Sequence, residues 1–187
     1  PHDRDSPLHP LAERLRREVD GDVLFDRASR GRYSTDASIY QIDPVGVVVP
    51  RTAEAARTAL QIAVEAGVPV LPRGGGTSLI GQTVNHAVVL DFSKYMNQVL
   101  EVNREELWCR VQPGVIQDEL NAHVRPMGLL FGPDTSTSNR ATIGGMSGNN
   151  SAGSHSIAYG KTIDHVLELR CLLADGSEIT LRDLTPA

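Results

Sequence analysis

Basic charge is scarce in this chain: 18 Lys and Arg stand against 23 Asp and Glu, for a net charge of −5. That balance argues against nucleic acid or an anionic membrane as a partner, since both favour basic surfaces. Long apolar runs are also missing, and no stretch reaches the length of a membrane span. Cysteine is nearly absent. Cys109 and Cys171 fall in strand-like runs, where alternation sets them beside Leu107 and Val111 and beside Leu169 and Leu173, so both read as core thiols. No histidine lies at ligand spacing from either one, which excludes a zinc site built on them, and no metal is expected. Nothing calls for an oxidising compartment, and no signal peptide is visible. The expected location is the cytoplasm, with peripheral membrane association left open for a longer form. A start at Pro1 rather than Met, and an end just after a strand, suggest a piece of something larger.

What is present is ordinary for a globular protein, with 40% hydrophobic and 22% charged residues. A chain of 187 residues can bury a real core, as one domain or two small subdomains. Leu8, Leu11, Leu15 and Val19 recur at helical spacing. The polar stretch that follows, through Gln41, has no clear period and reads as loop with one helical turn. From Val45 the pattern sharpens. "VGVVVP" predicts a buried strand, and Thr52 caps a helix through Ala66 with Ala56, Ala59, Leu60 and Ala63 on its inner face. "VPVLP" predicts the next strand, parallel to the first with a right-handed crossover, and "AVVLDF" a third.

After that the pattern changes. "NQVLEVN" and "ELWCRVQ" predict an antiparallel hairpin; Ile116, Leu120 and Val124 mark a helix; "HVLELRCLLA" and "SEITL" form a second hairpin around Asp175-Gly176. A parallel α/β half thus precedes an α+β half, with no internal repeat.

Two glycine-rich segments stand out. "RGGGTSLIGQT", Arg73 to Thr83, follows a strand, and glycine lets backbone N–H groups approach and converge on an anion. Its glycines, its Thr77 and Ser78 hydroxyls and Arg73 are the parts of a pyrophosphate cradle. The alternative is a ligand-free turn. Two familiar nucleotide motifs fail here. A dinucleotide fingerprint starting at Gly74 needs a sixth-position glycine, where Leu79 stands. An NTPase loop over Gly76 to Thr83 lacks its lysine, replaced by Gln82, and runs on into a strand rather than a helix. The second segment, Gly132 to Thr162, reads as one long loop. It sets Gly144, Gly145, Gly148 and Gly153 around Asn149 and Asn150, combining close backbone approach with amide groups able to bond a polar ring edge.

"PRGGGTSLIGQ", "VQPGV", "GPDTST", "ATIGG", "NNSAG", "YGKTIDHV" and "LADGSEI", in this order, resemble the FAD-binding domain of the FAD-linked oxidases related to vanillyl-alcohol oxidase and p-cresol methylhydroxylase. The resemblance covers about Pro44 to Thr180. Within that group it is strongest to D-2-hydroxy-acid dehydrogenases, for lactate, glycolate or 2-hydroxyglutarate, of the long bacterial kind with a C-terminal iron–sulfur region. It implies an α+β fold of two subdomains, a small parallel α/β half over 44–95 and a mixed, mainly antiparallel half over 96–187, after a lead-in over 1–43. The substrate domain would lie beyond this chain.

The same resemblance implies the site residues. Arg73, Gly74, Gly75, Gly76, Thr77, Ser78, Gly81 and Gln82 would contact phosphate and ribityl groups, and Pro50 the adenosine end. Pro133 and Asp134, with Thr142, Ile143, Gly144 and Gly145, would approach the flavin and ribityl chain. Asn150, Ala152 and Gly153 would complete that wall, and Val166 would contact the cofactor through its backbone. Some relatives tether FAD through a histidine where Thr77 stands, so non-covalent FAD is implied, although His155 keeps another attachment formally open. His155 and His165 otherwise read as solvated or structural, and Asp134 and Asp164 can serve as turn formers. No catalytic base is assigned, because relatives carry it in the substrate domain. The implied activity is oxidation of a D-2-hydroxy acid by the longer enzyme, with this chain inactive alone. Alternatives are a same-fold reductase using NADPH and a non-catalytic nucleotide-binding module.

Overall fold

A computed structural model describes residues 9–182. The chain divides into two compact units, Pro1–Tyr95 with Ala174–Gly176, and Met96–Leu173 with Ser177–Ala187.

The first unit is built on two strands buried at every residue, β2 (Gly46–Pro50) and β4 (Val88–Asp91). That burial on both faces explains why they are written as unbroken valine runs. Four strands form the sheet, in the order β1 (Gly21–Leu24), β2, β4, β3 (Val70–Arg73). β4 runs parallel to both β2 and β3, and β1 closes the edge antiparallel to β2. The two expected parallel strands are therefore not neighbours, because β4 inserts between them. Helices α1 (His9–Glu18) and α3 (Ala53–Glu65) cover one face, where Leu11, Leu15, Val48, Ala59, Ile62 and Val88 meet. Leu8, which the helical spacing includes, lies outside the described residues. On the other face Val47, Val49 and Val89 pack with Tyr33, Leu71 and Tyr95, as strand alternation requires. Thr52 caps α3 as its sequence predicts, its Oγ1 accepting from Ala55 N at 3.0 Å.

One element of this unit, β1, has no counterpart in the sequence reading and holds only four residues. The one helical turn expected in the polar stretch is α2 (Arg27–Arg32), a short polar helix capped by Asp26. Both are fixed by pairing and capping rather than by an apolar period.

In the second unit β5 (Val99–Asn103) and β6 (Trp108–Val111) form the first expected hairpin, and β7 (Glu168–Leu172) and β8 (Glu178–Arg182) the second. Helix α4 (Gln117–Val124) packs Leu120 and Val124 against Val115, with Val99, Val102, Cys109 and Phe131 around them. The segment 132–162 is not one loop. It contains α5 (Ile143–Asn149) and α6 (Ser156–Tyr159), and the single turn Thr162–His165 starts at its end.

The cysteine expectation needs correction. Cys109 is half-buried against the α4 cluster, and burial pushes its thiol up. Its expected neighbour Leu107 is exposed, at φ 59° in the turn before β6. Cys171 is also half-buried, on a hairpin whose Leu169 and Leu181 are exposed. Neither is a fully buried core thiol.

Candidate functional site

In the first unit the parallel register aligns the C-terminal ends of the strands. Arg73 pairs with Asp91, and Val48 with Leu90, which sets buried Pro50 at the same edge as the glycine loop. This is the edge where open α/β sheets bind ligands.

Arg73 itself turns inward. Its Nη1 donates to Tyr33 O at 3.2 Å and Thr83 O at 2.9 Å, its Nη2 donates to Thr35 O at 2.8 Å, and the guanidinium lies 5.3 Å from the Tyr33 ring centre. Burial lowers its pKa. The Tyr33 hydroxyl donates to buried Asp91 at 2.7 Å, and burial followed by that bond pushes the phenol up. A side chain committed to three backbone carbonyls holds the loop's shape, which differs from the direct phosphate contact the resemblance implies for Arg73.

The loop is tied at further points. Asp36 accepts from Thr83 N at 3.3 Å and Thr83 Oγ1 at 2.9 Å, and from Ser38 N at 2.9 Å. Burial pushes Asp36 up, but the bonds from Ser38 and Thr83 outweigh it and hold the carboxyl below its usual range. Gly76 O accepts from Ala37 N at 3.1 Å. Ser78 Oγ accepts from the amides of Ile80 and Gln82 and donates to Gln82 Oε1 at 3.1 Å, so those two side chains hold each other. What is left over is the backbone. Among the described residues, the N–H groups of Gly74, Gly75, Gly76, Thr77 and Ser78 have no acceptor within the protein. Five consecutive unpaired donors in a loop at this edge are the composition of an anion cradle.

In the second unit the glycines do different work. Thr142 caps α5 by accepting from Gly145 N at 3.3 Å, while Ile143 N and Gly144 N donate to Val115 O and Pro113 O, both at 2.8 Å. The amides of Ile143, Gly144 and Gly145 are thus occupied. A Cβ on Gly144 would lie 2.7 Å from that of Pro113, so this glycine serves close packing. Gly153 is tighter still, its Cβ position being 2.1 Å from Asp134 O.

Asp134 accepts from His155 N at 3.0 Å, Ser154 Oγ at 2.9 Å and His155 Nδ1. The backbone bond from His155, then the Ser154 bond, hold its carboxyl below the usual range. Asp134 is therefore a tie between distant segments rather than the local turn former its sequence suggested, whereas Asp164, which accepts from Lys161 N at 2.7 Å, does serve a local turn. His155 is exposed, and so is His165, whose Nε2 meets Tyr159 O and whose ring packs edge-on against Phe131 at 5.5 Å. Asn150 ends α5 in the left-handed conformation at φ 48°, and its Oδ1 accepts from Ile163 N at 3.0 Å. Asn150 and half-buried Val166 help line a shallow cavity of about 300 Å³ with Ser147, Ile163 and Leu169. Ala152 is exposed beside it in sequence.

Sequence reasoning missed Gln117. This buried side chain, at 1% exposure, donates through Nε2 to Pro133 O and accepts from Thr135 Oγ1 at 2.7 Å, clamping the segment that carries Asp134. Its signal was available, since position 117 shares the stripe of Leu120 and Val124, where a polar residue is out of place. Asp36 and Thr83 were missed as well. Asp36 two residues before Ser38 is a recognisable Asx turn, but its bond to Thr83 spans 47 residues and leaves no local trace.

No helix among the described residues is long and apolar enough to cross a membrane, and no group of His, Cys, Asp and Glu among them could hold a metal ion. A family model described as FAD binding domain matches residues 44–182. The D-2-hydroxyglutarate dehydrogenase of Pantoea ananatis is 44% identical over 170 residues, 89% of this chain. The chain spans 17% of that relative's length. Among solved structures, an alkyldihydroxyacetonephosphate synthase superposes with TM-score 0.84 at 23% identity, covering 95% of this chain and 36% of its own. p-Cresol methylhydroxylase does so with TM-score 0.76 at 18% identity, covering 94% and 35%. These likenesses show the fold expected from the motifs, α+β with a small parallel sheet and antiparallel hairpins. With most of its length matched, the chain belongs to the FAD binding domain family, and its cofactor is FAD.

Proposed function

We propose that this chain is the cofactor-binding part of a flavin-dependent oxidoreductase acting on a small 2-hydroxy acid, of the lactate, glycolate or 2-hydroxyglutarate class. The observation that carries the binding mode is the run of unpaired amides from Gly74 to Ser78. Those donors would hold the pyrophosphate of FAD with no charged side chain, Arg73 acting through the carbonyls it pins. Pro50, Gly81 and Gln82 border the same loop. In the second unit, Asn150, Val166 and the cavity beside them suit a ring of the cofactor, with Ala152 next to them. Pro133, Asp134 and Gly153 form the clamped wall, and Thr142 to Gly145 shape it by packing rather than by open donors.

Bound FAD supplies hydride acceptance from the α-carbon of the substrate. This chain's residues bind and orient it. The base, the carboxylate-binding residue and the iron–sulfur region that would take up the electrons would belong to further domains, for which the Pantoea ananatis relative, about five times the length of this chain, leaves room. Both cysteines are free, which fits a reducing cytoplasm.

Attachment is non-covalent in this reading, because Thr77 offers no nucleophile comparable to histidine. The test is the visible spectrum of the purified chain after incubation with FAD and gel filtration. Flavin retained by the native chain and released on denaturation is the expected result. Flavin that stays with the denatured chain would refute non-covalent attachment, and a chain that retains none would refute the assigned cradle.

A further inference from the structure

The segment Tyr33–Tyr40 lies before the residues that the family model matches, yet it touches the glycine loop at four points. Tyr33 O and Thr35 O receive Arg73, the Asp36 carboxylate receives Thr83 N and Oγ1, Ala37 N donates to Gly76 O, and the Tyr40 ring lies 2.6 Å from where Gly81 would carry a Cβ. The segment is itself anchored, through the Tyr33 hydroxyl on Asp91, the bridge between Thr35 and Gln41, and Ile42 N on Ser34 O.

We infer that this segment is a strap that sets the direction of the cofactor-loop amides, with Asp36 as its positioning residue. The physical reason is peptide planarity. In a trans peptide the C=O of one residue and the N–H of the next point in opposite directions. When Ala37 N draws the Gly76 carbonyl toward the strap, the Thr77 N–H is turned away from it. Arg73 draws in the Thr83 carbonyl at the far end of the loop, while Asp36 takes the Thr83 amide and hydroxyl. The Gly76 carbonyl and the closing Thr83 are consumed on the strap side, so the Thr77 N–H, within the run of free donors from Gly74 to Ser78, faces the other. An anion site made of backbone dipoles works only if those dipoles are aligned before the ligand arrives. Asp36 touches no ligand in this scheme and acts through Thr83.

The inference rests on the reading that Gly74 to Ser78 hold the FAD pyrophosphate. Its test compares wild type with Asp36→Ala, Thr83→Val and Thr83→Ser. FAD affinity is read by flavin fluorescence well below the unfolding midpoint, and amide protection at Gly74 to Ser78 is read in the FAD complex. Losing a hydrogen bond to a charged group should weaken FAD about tenfold in Asp36→Ala and in Thr83→Val. Protection at those five amides should fall in parallel, and Thr83→Ser should keep wild-type affinity. Should Asp36→Ala fail to fold, Thr83→Val, which keeps the side-chain shape, carries the comparison. Folded variants that bind FAD as wild type does, with lower melting temperatures only, would reduce the strap to scaffolding and overturn the inference alone. A wild-type chain that takes up no FAD would overturn the pyrophosphate reading and the inference with it.

Discussion

Replacing Gly76 by alanine probes the cradle where it is most constrained. Gly76 has φ +65°, and a Cβ there would lie 2.7 Å from Arg73 Nη2. Two costs separate. Left-handed backbone costs a residue other than glycine about 1–2 kcal/mol. The second cost arises because Nη2 is not a loose end; it donates to Thr35 O while Nη1 holds Tyr33 O and Thr83 O. Pushing it off Thr35 forfeits a charge-assisted bond of about 1.5–3 kcal/mol. Together these give about 2.5–5 kcal/mol, a large share of a domain's stability. Gly67 is the control, since it has φ +68° and nothing within 4 Å of its Cβ position. Gly67→Ala should therefore carry the backbone cost alone. Urea unfolding of both variants reads the difference directly. Equal losses in the two would mean that Arg73 yields freely, and the account of a pinned loop would be wrong.

Gln117→Ala strands Pro133 O and opens space in the core around Leu120, so thermal unfolding should show a loss of about 2–4 kcal/mol; a loss near zero would remove the clamp from the site. Gly148 sits inside α5 with open space around its Cβ position, so Gly148→Ala should stabilise by about 0.5–1 kcal/mol, and destabilisation would reveal a contact that the geometry lacks. The depressed Asp134 carboxyl contributes stability that is present above the ordinary carboxylate range and is lost as pH falls through its lower folded value. Amide protection at His155 should therefore survive acidification through about pH 4 and vanish only below it, whereas earlier loss would contradict the assigned bonds. Tyr33 is shifted the other way. Its contribution persists up to the ordinary phenol range, near pH 10, and is lost as pH rises through its higher folded value. An ultraviolet titration should show a late tyrosine step that is absent in Tyr33→Phe; a late step that survives unchanged in that variant would refute the assignment.

Much of the architecture was legible because hydrophobic period and punctuation agree locally. The valine runs of β2 and β4, the Thr52 cap and the Asp175-Gly176 turn each write their element in a few adjacent residues. What stayed hidden was fixed at a distance. β1 exists because Gly21 to Leu24 pair with Val47 to Pro50, and Gly21 has no room for a side chain, its Cβ position being 2.4 Å from Val49 O. Helix α5 was hidden for the opposite reason. Its Gly144, Gly145 and Gly148 oppose helix by propensity, and it forms because Thr142 caps one end, Asn150 turns the other, and Met146 is buried beneath.

The site shows the same division more sharply. Glycine clusters marked where backbone comes close to something. Composition could not tell which of them leaves its donors open. In one loop five amides remain unpaired; in the other, the amides of Ile143 to Gly145 are taken by Val115, Pro113 and Thr142. The difference comes from partners far along the chain, Ala37 and Asp36 for the first loop and the Pro113–Val115 turn for the second. A glycine therefore states that backbone is close, and only the hydrogen-bond inventory around it states whether that backbone is available to a ligand. On that criterion the proposed phosphate cradle is confined to Gly74 to Ser78, and the glycines of the second cluster serve packing.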